Sequence, residues 1–123
     1  YIENNAMPGY GNKLKHLNLD NNKIEFLKTH YFSNLSSLLE LRLSHNRISS
    51  IEYDSFKDLK SLVKLYLNDN CIFQIYSKFF INMKNLTILD LSLNLIVNLK
   101  PDVFIHLNNS NLEILNLEKN KLS

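Results

Sequence analysis

One eleven-residue sequence motif, which we call the phrase, occurs five times in the chain and constrains its fold more than any other feature. Each copy reads L-x-x-L-x-L-x-x-N-x-(I/L), and the copies are LKHLNLDNNKI, LLELRLSHNRI, LVKLYLNDNCI, LTILDLSLNLI and LEILNLEKNKL. They begin at residues 14, 38, 62, 86 and 112, so the intervals are 24, 24, 24 and 26 residues. The two additional residues fall in the polar stretch IHLNNSN. A fixed period of this length predicts a solenoid in which each unit stacks on the next.

The L-x-L part of each phrase predicts a short strand with one buried side. Side chains along a strand alternate in direction, so the leucines point one way and the residues between them point the other. Strands of successive units would stack in parallel, about 4.8 Å apart. The stretches between the phrases are short and mostly polar, which predicts irregular backbone or single 3₁₀ turns. Three apolar columns also run through these stretches: Leu27, Ile51, Ile75 and Leu99; Phe32, Phe56, Phe80 and Phe104; and Leu35, Leu59, Met83 and Leu107.

An asparagine occupies the same position in every phrase, where the chain leaves the strand. The chain has only two glycines, and neither lies at these positions, so the turn there must form without glycine. Its buried backbone groups still need hydrogen-bond partners. Because an amide side chain carries both donors and an acceptor, stacked amides could bond the turns of neighbouring units. We therefore expect a structural ladder of five asparagines: Asn22, Asn46, Asn70, Asn94 and Asn120.

These repeats resemble the 24-residue "typical" class of leucine-rich repeats, found in extracellular receptors of the Toll family and in secreted immune proteins. The phrase, the period and the phenylalanine column carry the resemblance, which covers about nine-tenths of the chain. It implies an α/β leucine-rich-repeat solenoid, a right-handed superhelix with a parallel β-sheet on its concave face. The convex face would consist of irregular and 3₁₀ segments.

The domain prediction is a single solenoid over residues 1–123. Residues 1–13 are interpreted as the tail of an earlier repeat, because Ile2, Met7 and Tyr10 keep the five- and three-residue intervals of the apolar columns. The chain stops half-way through a unit, and neither end has a polar capping segment. Because solenoids need capped ends, we expect a fragment of a longer solenoid. The alternative is a degenerate mini-protein in which residues 7–10 act as a cap.

The variable residues of the phrases would line the concave face and are the candidates for ligand binding. They include four basic and six acidic residues, so this face has a net charge of −2 and lacks the basic stripe of a nucleic-acid reader. No nucleic-acid partner is therefore expected. Arginine and tyrosine are enriched at binding hot spots, which places the centre of the predicted site at Arg42, Tyr66 and Asp90. The alternative is that these are ordinary solvated residues. The predicted ligand-binding residues are Glu40, Arg42, Lys64, Tyr66, Asp90, His45 and Asp69.

Other features of the chain bear on its partners. Two N-x-S sequons in polar convex stretches make Asn34 and Asn108 candidate glycosylation sites, whereas Asn85 directly precedes a predicted buried leucine and is less favoured. The single Cys71 excludes an internal disulfide framework, but it could link two chains. Self-association through uncapped ends is the other possibility that the repeat pattern leaves open. No apolar run approaches the roughly 18 residues of a membrane span, so no direct membrane insertion is expected.

The sequence favours recognition over catalysis. It contains no catalytic constellation, no metal-ligand spacing and no phosphate-binding glycine loop, so no enzyme activity, metal or cofactor is expected. We expect the chain to be an extracellular or cell-surface segment that binds a protein or a glycoconjugate on its concave face. Two alternatives remain: a structural or adhesion scaffold, and a cytosolic scaffold. The single cysteine permits the latter, while the phenylalanine-type repeat disfavours it.

Overall fold

A computed structural model of the chain describes residues 13–108 and 111–123. The predicted partial repeat of residues 1–13 lies, except for its last residue, outside the described residues. Seven short strands and two 3₁₀ helices succeed one another in the described part. They are β1 (His16–Asn18), β2 (Phe26–Leu27), β3 (Glu40–Arg42), β4 (Ser50–Ile51), β5 (Lys64–Tyr66), η1 (Ser77–Phe80), β6 (Ile88–Asp90), η2 (Ile105–Leu107) and β7 (Ile114–Asn116).

The strands of the five phrases form one parallel sheet in the order β1-β3-β5-β6-β7. Their central leucines pair in register, and the row consists of Leu17, Leu41, Leu65, Leu89 and Leu115. The two additional residues of the last interval do not disturb this register, because they precede the strand and leave the phrase intact. The predicted parallel-sheet solenoid is confirmed.

Stacking of the repeats buries the leucine and phenylalanine columns. Leu41, Leu65 and Leu89 are fully buried in the middle of the sheet, whereas Leu115, in the edge strand β7, is 38% exposed. Phe32, Phe56 and Phe80 are each 1% exposed. The rings of Phe32 and Phe56 stack with centroids 6.1 Å apart. Each fully buried side chain of this size contributes about 1.5–3 kcal/mol relative to exposure.

The asparagine column forms a continuous hydrogen-bond ladder between repeats. In the second repeat, Asn46 Oδ1 accepts a hydrogen bond from the backbone N of Ile24 (3.1 Å). Its Nδ2 donates to the carbonyl oxygens of Leu19 (3.0 Å) and Leu43 (3.1 Å). Asn70 and Asn94 repeat this pattern. Each amide thus joins its own turn to that of the preceding repeat.

The residue before each ladder asparagine has a positive φ, which the sequence did not predict. These residues are Asn21 (φ 59°), His45 (57°), Asp69 (56°), Leu93 (55°) and Lys119 (55°). Left-handed backbone costs an L-residue about 1–2 kcal/mol, and asparagine and aspartate tolerate it best. The ladder bonds that follow hold the chain in this turn without glycine.

The convex segments match the prediction of irregular and 3₁₀ structure, with one addition. β2 and β4 pair in parallel as a small second sheet, with Leu27 opposite Ile51. The apolar columns place Leu27 and Ile51 side by side, but two-residue strands are too short to show an alternating pattern, so the pairing itself was not predicted. No helix among the described residues has the length and apolar character to cross a membrane.

Candidate functional site

Strands β3, β5 and β6 bring five of the seven predicted ligand-binding residues into two neighbouring columns. The sheet register places Glu40 opposite Lys64 in one column. It places Arg42 opposite Tyr66, and Tyr66 opposite Asp90, in the other. All five are half-buried, while the leucines between them are fully buried. The alternation within each three-residue strand therefore presents these five side chains on the outer side of the sheet.

Arg42 is held in place from three directions at the centre of this face. Its Nε donates to Asp20 Oδ2 at 2.9 Å, and its Nη1 lies 3.5 Å from Glu40 Oε1. Its guanidinium carbon lies 4.6 Å from the centroid of the Tyr66 ring, a cation–π contact. The hydrogen bond to Asp20 raises the pKa of Arg42 above its ordinary value, so its charge is permanent. The result is a cation that is held over an aromatic ring and whose side chain is 38% exposed.

Asp20 was not among the predicted site residues, although it anchors the arginine. Its Oδ1 accepts the backbone N–H of Ser44 (2.7 Å) while its Oδ2 accepts the Arg42 bond, so both oxygens are engaged. Its side chain is 12% exposed. A signal was present in the sequence, because Asp20 shares the outer face with Asn18, the register partner of Arg42. Asp20 is therefore a diagonal neighbour of Arg42 across the strand pair.

Asp90, the third member of the predicted centre, bonds its own turn. Its Oδ1 accepts hydrogen bonds from the backbone N (3.0 Å) and the Oγ (2.7 Å) of Ser92. Asn18 and Asn116 occupy the same column and make the same bond to the backbone N two residues later. Such Asx turns end the strand. Asp90 thus has a structural role that the repeat pattern did not predict.

His45 and Asp69, the other two predicted residues, form a pair at the edge of the face. His45 Nδ1 lies 2.6 Å from Asp69 Oδ2, and both side chains are about half exposed. They occupy the left-handed turn position of successive repeats, which brings their side chains together. His16 lies further along the face, with its Nδ1 3.9 Å from Glu40 Oε2.

One column that was expected to be free on the concave face is in fact partly closed. Ser44 is 2% exposed and Ser92 is 8% exposed, so the expectation of exposed side chains is wrong at these positions. Ser44 Oγ donates to Asn68 Oδ1 (2.6 Å), which links two repeats. The side chains are buried because the column lies at the start of the inward turn, where small polar groups bond to one another.

The candidate modification sites lie on convex segments. Asn34 is exposed and has a positive φ of 64°, and its backbone N–H bonds Asp58 Oδ2 at 3.0 Å. Asn108 is also exposed, but the remaining two residues of its sequon lie outside the described residues. Asn85 is exposed as well, so the buried leucine after it does not hide its side chain.

Cys71 and the potential metal-ligating side chains are the remaining candidates for chemistry. Cys71 is a half-buried free thiol, and its backbone N donates to Ile48 O (2.9 Å). Chain linkage through Cys71 stays a prediction. Across residues 13–108 and 111–123 no group of three or more histidine, cysteine, aspartate or glutamate side chains is arranged to hold a metal ion.

Comparison with known proteins identifies the repeats. The family model "Leucine rich repeat" matches residues 12–72 and again residues 64–122. The chain belongs to the leucine-rich-repeat family. No curated protein sequence matches it.

The leucine-rich-repeat chain is also similar to solved structures of the Toll-like type. A crystal structure of a TLR13–ssRNA13 complex shares 37% identity over 89% of the chain, with a TM-score of 0.81. The Toll–Spatzle complex, from Drosophila, shares 24% identity over 89% of the chain with a TM-score of 0.83, and at that identity the likeness shows the fold alone. The chain spans only 15% and 14% of the lengths of those two proteins. Because one of these structures is a complex with RNA, the expectation that nucleic acid is excluded has no support here.

Proposed function

We propose that this leucine-rich-repeat chain is a recognition segment that binds a protein or a glycoconjugate on the outer face of its five-stranded sheet. The site is centred on Arg42 and Tyr66, and Glu40, Lys64 and Asp90 flank it. The chain serves recognition rather than catalysis. Its compartment is extracellular or at the cell surface, in keeping with its similarity to solved structures of the Toll-like type.

The arrangement of Arg42 carries this proposal. Arg42 is 38% exposed, yet Asp20, Glu40 and Tyr66 fix it, so it loses little conformational freedom when a partner binds. Preorganised groups bind more tightly because the ordering cost is already met. Arginine and tyrosine are also the residue types that most often dominate binding energy at interfaces.

Site-specific photo-crosslinking tests the location of the site. A benzophenone amino acid is introduced in place of Tyr66 or, as a control, in place of the convex residue Ile105, which is 53% exposed. The secreted, tagged chain is then irradiated on the surface of cells. We expect one discrete adduct from the Tyr66 position and none from the Ile105 position. An adduct only from Ile105 would refute the location of the site on the outer face of the sheet.

Charge variants identify the contribution of the arginine. Arg42→Glu reverses the charge, and Arg42→Gln removes it without adding repulsion toward Asp20 and Glu40. Lys57→Glu, an exposed change on the convex side, is the matched control for charge reversal. Both Arg42 variants should weaken partner binding at least about 10-fold, because loss of a hot spot costs about 2 kcal/mol or more. Unchanged binding in Arg42→Gln would overturn the assigned centre.

A labelled single-stranded RNA tests the competing class of partner. The variable positions of the five phrases are more acidic than basic: Lys15, Arg42, Lys64 and Lys119 against Asp20, Glu40, Asp69, Asp90, Glu113 and Glu118. Phosphate binding needs unpaired cations and weakens steeply with salt. We expect no salt-dependent rise in the fluorescence anisotropy of the RNA. Salt-dependent binding that Arg42→Gln abolishes would replace the protein partner with nucleic acid.

Glycan analysis tests the compartment. Material secreted from eukaryotic cells should carry N-glycan at the exposed Asn34, and glycan at Asn108 is the second expected site. Peptide mass mapping before and after deglycosylation measures occupancy at each position. Efficient secretion with neither position occupied would contradict the glycoprotein assignment.

A further inference from the structure

A cleft opens between three successive convex segments, outside the recognition face, which is the outer face of the five-stranded sheet. This open cleft has a volume of about 330 Å³, at the lower end of the size range of small-molecule sites. Its lining consists of Tyr53, Ile75, Tyr76, Ser77, Lys78, Lys100, Asp102 and Val103. These residues lie after β4, at the start of η1 and before η2, so the cleft exists only because the repeats stack.

The apolar part of the cleft combines a buried floor with two tyrosine walls, of which Tyr53 is exposed and Tyr76 is half-buried. Ile75 and Val103 are 4% and 3% exposed, whereas Tyr53 is 51% exposed. The Tyr53 and Tyr76 rings meet edge to face, with centroids 5.0 Å apart. Phe79 lies behind them, 5.5 Å from Tyr76. This packing fixes the orientation of the tyrosine rings and leaves ring surface available for a flat group.

The polar part of the cleft is positively charged. Lys78 and Lys100 contribute two cations and Asp102 contributes one anion, so the lining has one net positive charge. Lys78 Nζ lies 5.7 Å from the centroid of the Tyr53 ring, which places a cation beside the aromatic wall. The hydroxyl of Tyr76 already donates to Gln74 Oε1 (2.5 Å). Removal from water, with a smaller contribution from Tyr53, raises the pKa of Tyr76 above its ordinary value.

We propose that this convex cleft is a second binding site, and that it takes a small ligand with a flat ring and one anionic substituent. The ring packs against Tyr53 and Tyr76 above Ile75, and the anion lies toward Lys78 and Lys100. Carboxylate, sulfate and phosphate share this chemistry. The site is independent of the recognition face, because none of its residues belongs to the five-stranded sheet.

Nuclear magnetic resonance titration with matched probes tests the ligand class. The probes are 2-naphthoate, 2-naphthyl sulfate and 2-naphthyl phosphate, which distinguish the three anions. Two controls each lack one feature: 2-naphthol lacks the strong anion, and decahydro-2-naphthoate lacks the flat ring. We expect saturable shifts of the Tyr53 and Tyr76 ring signals with a dissociation constant on the order of 1 mM or lower for at least one anionic naphthyl probe. Each control should bind at least about 3-fold more weakly. Equal binding of 2-naphthol, or shifts that do not saturate for any probe, would overturn the proposal.

Two lysine variants separate a site from nonspecific attraction. Lys100→Gln removes one cation of the cleft, and Lys28→Gln removes the exposed lysine at the equivalent position of the first repeat. Lys100→Gln should weaken binding of the anionic probes about 3-fold or more without changing that of 2-naphthol. Lys28→Gln should have no effect on any probe. Equal effects of the two variants would show general charge attraction and would refute the site.

Discussion

Replacing Asn70 by alanine should destabilise the solenoid by about 2–4 kcal/mol. Asn70 Oδ1 is the acceptor for the buried backbone N of Ile48 (2.9 Å), and alanine leaves this donor unpaired. A buried unsatisfied donor costs about 1–3 kcal/mol, and the small cavity left by the amide adds to this. The carbonyls of Leu43 and Leu67 lose less, because each also accepts from a neighbouring ladder asparagine. The estimate therefore rests mainly on one orphaned N–H.

The matched control is the same substitution at the first position of the ladder. Asn22 is exposed, and its Nδ2 donates to Leu19 O (2.9 Å), which keeps a second bond from Asn46. Asn22→Ala should cost less than about 1 kcal/mol, as exposed substitutions usually do. Urea denaturation followed by circular dichroism measures both losses, and equal m values show that the same structure unfolds. Losses that agree within about 0.5 kcal/mol would refute the reasoning from the buried N–H.

Three further perturbations test separate parts of the structure. A double-mutant cycle of Arg42→Ala and Tyr66→Ala should give a coupling of about 0.5–1 kcal/mol in urea denaturation, and additive losses would argue against the cation–π contact. The Oγ1 and the backbone N–H of Thr29 both donate to Glu52 Oε2 at 2.7 Å, and these bonds lower the pKa of Glu52. The stability that they contribute is present above the unfolded-state pKa of Glu52 and is lost as the pH falls through its lowered folded-state pKa. The Tm advantage of the wild type over Glu52→Gln should therefore shrink between about pH 7 and pH 3, and a constant difference would contradict the assigned bond. Leu93→Asn should stabilise the chain by about 0.5–1 kcal/mol, because asparagine accepts the left-handed backbone at φ 55° better than leucine, and a loss of stability would show that the exposed leucine makes a compensating contact.

The repeat period was enough to predict most of the architecture. Leucines recurring at L-x-L positions place every strand in the same register, since a shift of one residue would turn the apolar side chains to solvent. The pairing of Leu89 with Leu115 across the irregular 26-residue interval shows how strongly this constraint acts. The asparagine ladder also follows from the sequence, because a glycine-poor turn must satisfy its buried backbone groups with side chains.

The candidate site was predictable only in outline. The columns of Arg42, Tyr66 and Asp90 follow from the register, but their contacts do not. Asp20 anchors Arg42 diagonally, and Asp90 bonds the backbone of its own turn. Such choices depend on rotamers and on the twist between strands, which no repeat pattern records. The burial of Ser44 was missed for the same reason.

The sequence by itself determined which side chains face the core and which strands are neighbours, because burial of apolar groups depends only on their periodic positions. Only the tertiary structure decided which outward residues are available to a partner. Residues from adjacent repeats, separated by 22 or 24 positions along the chain, share hydrogen bonds such as those from Arg42 and Ser44 to Asp20. The convex cleft has the same origin, since its lining residues come from three successive turns of the solenoid. Hydrogen bonds and ring contacts require distances of a few ångströms, and these are set only when the repeats have packed.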